Sequence, residues 1–332
     1  MNILVLLPEG PVRDRFFTEE NRMELECLGT VTWNCLGRHY SQEELRELLG
    51  GTDVVVTGWG TPGVKGSMIK QVRRQLLAHM GGSVAPYTDQ SAFDKGLEVT
   101  CANEIFAKSV AEGTMAYILA GLRQIPFWDR NLKAGEWRND TFSNHSLMKK
   151  RVGITGYGAV ARNLLPLLKA FDAEILLNSS HLSEEDCSRL KVKQASLDEI
   201  FETCDVISLH NGLNEETGGM ITRRLLEKIK KDALFVNTAR GGLVDEEALA
   251  DLLQAERFYA VLDVYQTEPL PVNSRFCKLS RAILMPHMAG PASDLYGLCG
   301  KTVVEEIARF VRGEALKYEV KAESLSYMTA KG

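Results

Sequence analysis

The sequence predicts an α/β protein made of two doubly wound parallel-sheet domains, Rossmann-like or flavodoxin-like, with an active-site cleft between them. Three observations lead there. Short β-type runs, apolar on both faces, alternate with helical segments along the chain, the signature of parallel strands covered on both sides. One such strand enters a glycine turn and then a helix, "RVGITGYGAVARNLLPLLKAF". At 332 residues with 45% hydrophobic content, the chain is large for one core and comfortable for two.

The first series of strands reads "NILVLL", "DVVVTG" and "LEVTC". Ser41 with Glu44 fits a capping box at a helix start, and Ser196 with Glu199 fits another. A long helical stretch, Lys108 to Trp137, separates this series from the next and marks a domain boundary. Its end carries Phe127, Trp128 and Trp137. They belong either to a helix packed on its own domain or to an arm that packs on a second copy. The second series reads "RVGITGY", "EILLN", "DVISLH", "ALFVNTA", "YAVLDVY" and "AILMPHM". After Gly290 one long helix remains, Leu295 to Arg312, too little for a third domain.

Lysine and arginine number 39 against 44 acidic residues, a formal net charge of -5, and no long basic run tracks a phosphate backbone, so nucleic acid is not the expected partner. The seven cysteines are scattered and form no CxxC pair, which fits a reducing compartment and argues against a zinc site; no metal is expected. "MNILVLLPEG" lacks the basic start of a signal peptide and reads as a strand. No uncharged apolar stretch is long enough for a membrane span, so a soluble cytoplasmic protein is expected.

In the phosphate-loop segment, Gly156 permits the tight turn, Gly158 lets backbone approach a pyrophosphate, and the small Ala161 lets helix pack on strand. Tyr157, Ala159 and Val160 complete the turn and the helix N-terminus, whose free N–H groups attract phosphate. Pro166, inside that helix, predicts a kink near Arg162. Where an acid ordinarily holds the adenosine ribose, the chain has Asn178, followed by Ser179, Ser180 and His181. Asparagine bonds a ribose hydroxyl without repelling a 2′-phosphate, a lean toward NADP or dual use, yet no arginine follows to clamp that phosphate. NAD or NADP therefore stays open.

Beyond this loop, Arg240 in "NTARGG", Asp263 and Glu268 in "LDVYQTEP", and His287 in "MPHMAG" lie at or just past the ends of predicted strands. In an open α/β sheet those ends share the ligand crevice. Singly, each has a structural reading: a satisfied histidine, an ion-paired arginine, a helix-capping acid. Together they suit hydride transfer between a nicotinamide and a 2-oxo or 2-hydroxy acid. Arg240 holds carboxylate and carbonyl through its planar fork. His287 acts as general acid and base. Glu268 orients His287 and raises its pKa.

At these residues the sequence resembles the NAD(P)-dependent D-2-hydroxyacid dehydrogenase family, the group that includes glycerate and phosphoglycerate dehydrogenases. The resemblance runs from Arg151 to Gly290 through "GYGAVARNL", "CDVISLHNGLNEETGGMI", "FVNTARGGLVDEEAL", "LDVYQTEPLP" and "PHMAG". It implies Arg240, Glu268 and His287 as the catalytic set, Asp263 near the nicotinamide carboxamide, and His210, Thr238, Ala239 and Gly290 along the cofactor. It also implies a substrate domain of residues 1–103 completed by 293–332, a cofactor domain of residues 104–292, and a homodimer built through the latter. The chain departs from the family at "HMGGSVAPYTDQ", where Gly82, Ser83 and Val84 are the candidate amide donors to a substrate carboxylate. It departs again at Gly212, where proline is common, and at Pro291; Tyr296 reads as a residue at the cleft mouth or as a packed helix residue. Two rival readings are a nicotinamide-sensing, corepressor-like binding protein on the same fold and an S-adenosylmethionine-dependent methyltransferase. The second leaves "NTARGG" and "MPHMAG" without a role.

Overall fold

A computed structural model describes the chain except residues 71–72, 139–142, 181 and 330–332. Among the described residues, twelve strands form two sheets: β1 (Asn2–Pro8), β2 (Thr30–Asn34), β3 (Val54–Thr57), β4 (Gln75–His79) and β5 (Leu97–Cys101) in one, and β6 (Arg151–Thr155), β7 (Glu174–Asn178), β8 (Lys193–Gln194), β9 (Val206–Leu209), β10 (Leu234–Asn237), β11 (Tyr259–Leu262) and β12 (Ala282–Leu284) in the other. Their orders are β2-β1-β3-β4-β5 and β12-β11-β10-β9-β6-β7-β8. Every pairing between these strands is parallel. The α/β class read from the sequence is the class observed.

The described chain separates into two units, Met1–Ala107 with Pro291–Gly332, and Lys108–Gly290. In the first, β1 alternates its side chains between two cores. Ile3, Val5 and Leu7 pack with Val303, Ile307 and Phe310 of the Tyr296–Arg312 helix, while Leu4 and Leu6 pack with Leu45, Val55 and Leu77. In the second, Val152 and Ile154 face one core and Ile207, Phe235 and Leu262 the other. Both faces of each sheet are apolar, as buried parallel strands require. In the second sheet β6 sits between β7 and β9, so the strand order reverses there and the strand ends open a crevice.

Three strands are missing from the set read in the sequence. β2 is half-exposed and β8 has two polar residues, so neither shows an apolar run. β4 is buried throughout, and periodicity cannot separate a short buried strand from a helix segment.

The helical stretch Lys108 to Trp137 is two helices, Asn103–Arg123 and Ile125–Lys133, divided by Gln124 in the left-handed region at φ 53°. The physical cause is Pro126, which has no N–H for the carbonyl of Leu122; the amide of His145 donates to it instead, at 2.8 Å. Pro166, by contrast, lies inside the continuous Ala159–Lys169 helix. Both it and Arg162 are exposed, so water can reach the carbonyl that loses its partner. The Ser41 capping box forms in full. At Ser196 only half of it forms: Ser196 Oγ accepts from the Glu199 amide at 3.1 Å, but the Glu199 carboxylate pairs with Lys193 at 2.6 Å.

His79, at the end of β4, is fully buried, with Nδ1 3.0 Å from Thr57 Oγ1 and its ring stacked on Tyr87 at 4.3 Å. Burial pushes its pKa down from 6.5 to about 3. Because the folded value lies below the unfolded one, the neutral imidazole contributes stability that is fully present above pH 6.5 and is lost as pH falls toward 3. His79→Gln therefore unfolds in urea with a flatter pH dependence than the wild type across that window. Parallel stability curves for the two proteins would contradict this account.

Candidate active site

The phosphate loop starts where β6 ends. Gly156 has φ +82°, and a Cβ there would lie 2.9 Å from the Asn211 amide nitrogen and the His210 carbonyl. Its own amide donates to the Asn178 carbonyl at 2.8 Å. Gly158 is the N-cap of the Ala159–Lys169 helix and supplies no side-chain cap, while nothing lies within 4 Å of where its Cβ would be. The N-terminus of an 11-residue helix thus has no side-chain cap and open space beside its N-cap glycine, the arrangement that receives phosphate. Ala161 is fully buried against the strand side, and Tyr157 and Val160 pack against the same core.

The residues expected beside a dinucleotide have the following partners. Asn178 donates from Nδ2 to the Ala195 carbonyl at 2.8 Å. The Ser179 carbonyl accepts from Gln194 Nε2, and Ser180 is exposed; His181 lies outside the described residues. His210 Nε2 is 2.9 Å from Ser208 Oγ, and burial pushes its pKa down to about 4, so it is neutral at physiological pH. Thr114 Oγ1 donates to the Val110 carbonyl at 2.7 Å, which leaves Thr238 Oγ1 as the donor in the 2.9 Å bond between the two hydroxyls.

"NTARGG" is a turn tied by Asn237. Its Oδ1 accepts from the Ala239 amide at 3.0 Å and its Nδ2 donates to the Arg240 carbonyl at 2.9 Å. Arg240 donates from Nη1 to the Ala239 carbonyl at 2.6 Å. Burial lowers its pKa from the ordinary value, and the Glu268 carboxylate opposes that shift. Among the described residues no carboxylate lies at ion-pair distance from Arg240, so a largely buried guanidinium keeps most of its fork unpaired. Gly241 has a steric reason: a Cβ there would sit 1.9 Å from the Tyr265 carbonyl carbon. The acids that follow have structural partners. Asp245 caps its helix, Glu246 accepts from the Gln266 amide at 2.6 Å, and Glu247 pairs with Arg275 at 2.9 Å.

Glu268 Oε2 lies 2.7 Å from His287 Nδ1, and Glu268 Oε1 accepts from the Tyr265 amide at 2.9 Å. The Tyr265 hydroxyl is fixed in turn by the carbonyls of Leu262 and Met285. His287 is exposed and left-handed at φ 52°, a strained state for a residue with a Cβ. Asp263 is buried. Its Oδ1 accepts from the Met288 amide at 2.8 Å and the Tyr117 hydroxyl at 3.3 Å, and its Oδ2 from the Ala289 amide at 2.9 Å. The loop closes onto a helix through two glycines: a Cβ on Gly113 would meet the Ala289 carbonyl at 2.2 Å, and one on Gly290 the Val110 amide at 2.8 Å. Arg240, Asp263, Glu268 and His287 thus gather at the C-terminal ends of β10, β11 and β12. Asn237, Tyr117, Thr114 and Tyr265 are supporting residues absent from the sequence reading. Asn237, immediately before a turn, carried a local signal; the others sit in apolar helical or strand contexts that carry none.

Gly82, Ser83 and Val84 belong to the other unit. Ser83 Oγ donates to the Thr329 carbonyl at 2.8 Å, and the Val84 side chain is core. What these residues leave for a ligand is their backbone amides, for which no acceptor is found among the described residues. Tyr296 packs its ring on Phe16 at 4.9 Å and Trp59 at 6.0 Å, the packed role.

Residues 115–289 match the family model described as D-isomer specific 2-hydroxyacid dehydrogenase, NAD binding domain. A D-3-phosphoglycerate dehydrogenase of Methanocaldococcus jannaschii is 32% identical over 278 residues, covering 82% of this chain and 52% of that protein. The chain thus spans about half the length of the phosphoglycerate dehydrogenases it matches. A hydroxypyruvate reductase of Thermotoga maritima is 30% identical over 273 residues, 81% of this chain and 88% of that one. Among solved structures, the PH0520 protein of Pyrococcus horikoshii OT3 superposes with a TM-score of 0.81 at 25% identity, over 98% of this chain and 96% of that one.

Two glycines separate structural from ligand-side constraint. Gly241→Ala forces the Tyr265 backbone to move and costs more than ~3 kcal/mol in unfolding free energy. Gly158→Ala unfolds within about 1 kcal/mol of the wild type, a small change for a surface site, but its methyl group occupies the space before the helix and weakens dinucleotide binding. Melting curves and a dinucleotide titration check both. A stable Gly241→Ala, or a Gly158→Ala that binds normally, refutes the assignment.

Proposed function

We propose an activity for this chain from one premise: it belongs to the D-isomer specific 2-hydroxyacid dehydrogenase family. It transfers a hydride between NAD(P)H and a 2-oxo acid, or back from the D-2-hydroxy acid. The observation that carries the reading is the 2.7 Å pair of Glu268 with His287 Nδ1, in the same unit as a largely buried Arg240 with no carboxylate at ion-pair distance among the described residues.

The bound nicotinamide supplies or takes the hydride; the chain's own residues do the rest. Glu268, held by the Tyr265 amide, accepts from Nδ1–H and so fixes the tautomer in which Nε2 faces the substrate. In reduction His287 gives its proton to the carbonyl oxygen as that oxygen becomes an alkoxide, and in oxidation it takes the proton back. Arg240 binds the substrate carboxylate and carbonyl with its free N–H groups and stabilises the charge that develops on oxygen. The free amides of Gly82, Ser83 and Val84 suit a carboxylate in the same way.

NADH or NADPH serves as the reductant. Asn178, with one amide hydrogen committed to Ala195, keeps Oδ1 as an acceptor for a ribose hydroxyl, which both cofactors offer. The chain acts as a homodimer through its cofactor unit. The Ile125–Lys133 helix buries none of its residues and exposes Ile125, Phe127 and Leu132, with Trp137 beyond it, an apolar surface of the kind a partner covers. Its seven free cysteines suit a reducing cytoplasm.

Loss of reduced-nicotinamide absorbance, with NADH and NADPH tested separately against glyoxylate, hydroxypyruvate, pyruvate and bulkier 2-oxo acids, decides the activity. Turnover falls about 10²–10⁴-fold in His287→Ala, the usual weight of general acid catalysis. Arg240→Lys loses the bidentate fork and most of the rate with it. Absence of turnover with all of these acids, in a protein that binds the cofactor tightly, overturns the reading in favour of a cofactor-sensing binding protein. Light scattering that gives the mass of one chain refutes the dimer.

A further inference from the structure

Asn211 stands immediately after His210, where the chain leaves β9, and its backbone nitrogen lies against the first glycine of the phosphate loop. Its side-chain Oδ1 is buried and has no hydrogen-bond partner among the described residues. Its neighbours on either side have partners: the His210 amide donates to the Thr155 carbonyl at 2.8 Å, and the Gly212 carbonyl accepts from Thr217 Oγ1 at 2.6 Å. The segment is thus tied down around one side-chain carbonyl oxygen that no described residue satisfies. A buried polar group without a partner is destabilising, so native proteins keep few of them, and those few call for an explanation.

A ligand can provide one. A dinucleotide carries donors that a buried carbonyl oxygen can accept from: the ribose hydroxyls and the adenine amino group. The glycine against Asn211 is the one whose amide is bonded to the carbonyl of Asn178, at the strand end that reads the adenosine ribose. That link places Asn211 beside the strand end expected to face the adenosine half. We propose that the side-chain carbonyl of Asn211 accepts a hydrogen bond from a hydroxyl or amino donor on the adenosine half of the bound cofactor. The inference rests on the dinucleotide reading of the Lys108–Gly290 unit.

The test compares the wild type with Asn211→Leu, similar in volume and without polar atoms, by fluorescence titration and thermal unfolding. The ligands are NADH, its hypoxanthine analogue, which lacks the amino group, and its 2′-deoxy and 3′-deoxy adenosine analogues. Asn211→Leu is expected to unfold at the same temperature as the wild type or higher, since an orphan acceptor has gone. Its dissociation constant for NADH rises about tenfold. With the one analogue that lacks the bonded donor, wild type and variant bind alike, which identifies the donor. Asn211→Ala gives the same ligand pattern should leucine not be accommodated. Equal NADH affinity in wild type and variants overturns the proposal, because water then satisfies the oxygen. So does a tenfold loss repeated unchanged on every analogue, which marks a packing effect. A wild type that binds neither NADH nor NADPH removes the dinucleotide reading itself, and the proposal with it.

Discussion

Asp263 holds three successive amides of the loop that carries His287: its carbonyl accepts from His287, its Oδ1 from Met288 and its Oδ2 from Ala289. A carboxylate taken out of water needs such donors, and the loop needs the carboxylate, so each explains the other. His287 can keep a left-handed backbone because its neighbours are fixed on both sides. The pair with Glu268 then sets the direction of the ring. Asp263 itself is positioned from the sheet, since its amide donates to the Asn237 carbonyl at 3.0 Å. Asn237 in turn ties the turn on which Arg240 sits. The cation and the imidazole are therefore referred to one pair of adjacent strand ends, β10 and β11, which keeps their separation independent of flexible surface chain.

Much of this was legible in the sequence because it rests on local signals. Strands buried on both faces read as apolar runs, the glycine turn after β6 reads as a phosphate loop, and residues just past strand ends fall into the crevice by topology alone. What escaped depends on contacts distant along the chain. Tyr117 and Gly113 lie in a long apolar helix, and their relation to Asp263 and Ala289 exists only after folding. β4 escaped because burial on every side erases periodicity. The single helix expected from Lys108 to Trp137 failed at Pro126, where the proline signal was present and outweighed by the hydrophobic pattern around it.

The family supplies a frame in which this chain's departures gain meaning. Asn178 and Asn211 are both amides at strand ends beside Gly156, yet the first is bonded to Ala195 while the Oδ1 of the second has no partner among the described residues. In the other unit, the Ser83 hydroxyl is consumed by Thr329, so its loop offers backbone amides rather than that side chain. Main-chain donors recognise a carboxylate and are indifferent to the rest of the molecule that bears it.

The seam at Gly241 has a consequence for how such a protein can change. Tyr265 presses its backbone against the residue after Arg240, and no side chain fits between them. The guanidinium therefore sits beside a position that admits only glycine, packed against the chain that leads from β11 to Glu268. Any lineage that alters what the surrounding residues hold must do so elsewhere, leaving this turn as it is. Different parts of one chain can then diverge at different rates, because close packing holds this turn while exposed loops remain free to vary.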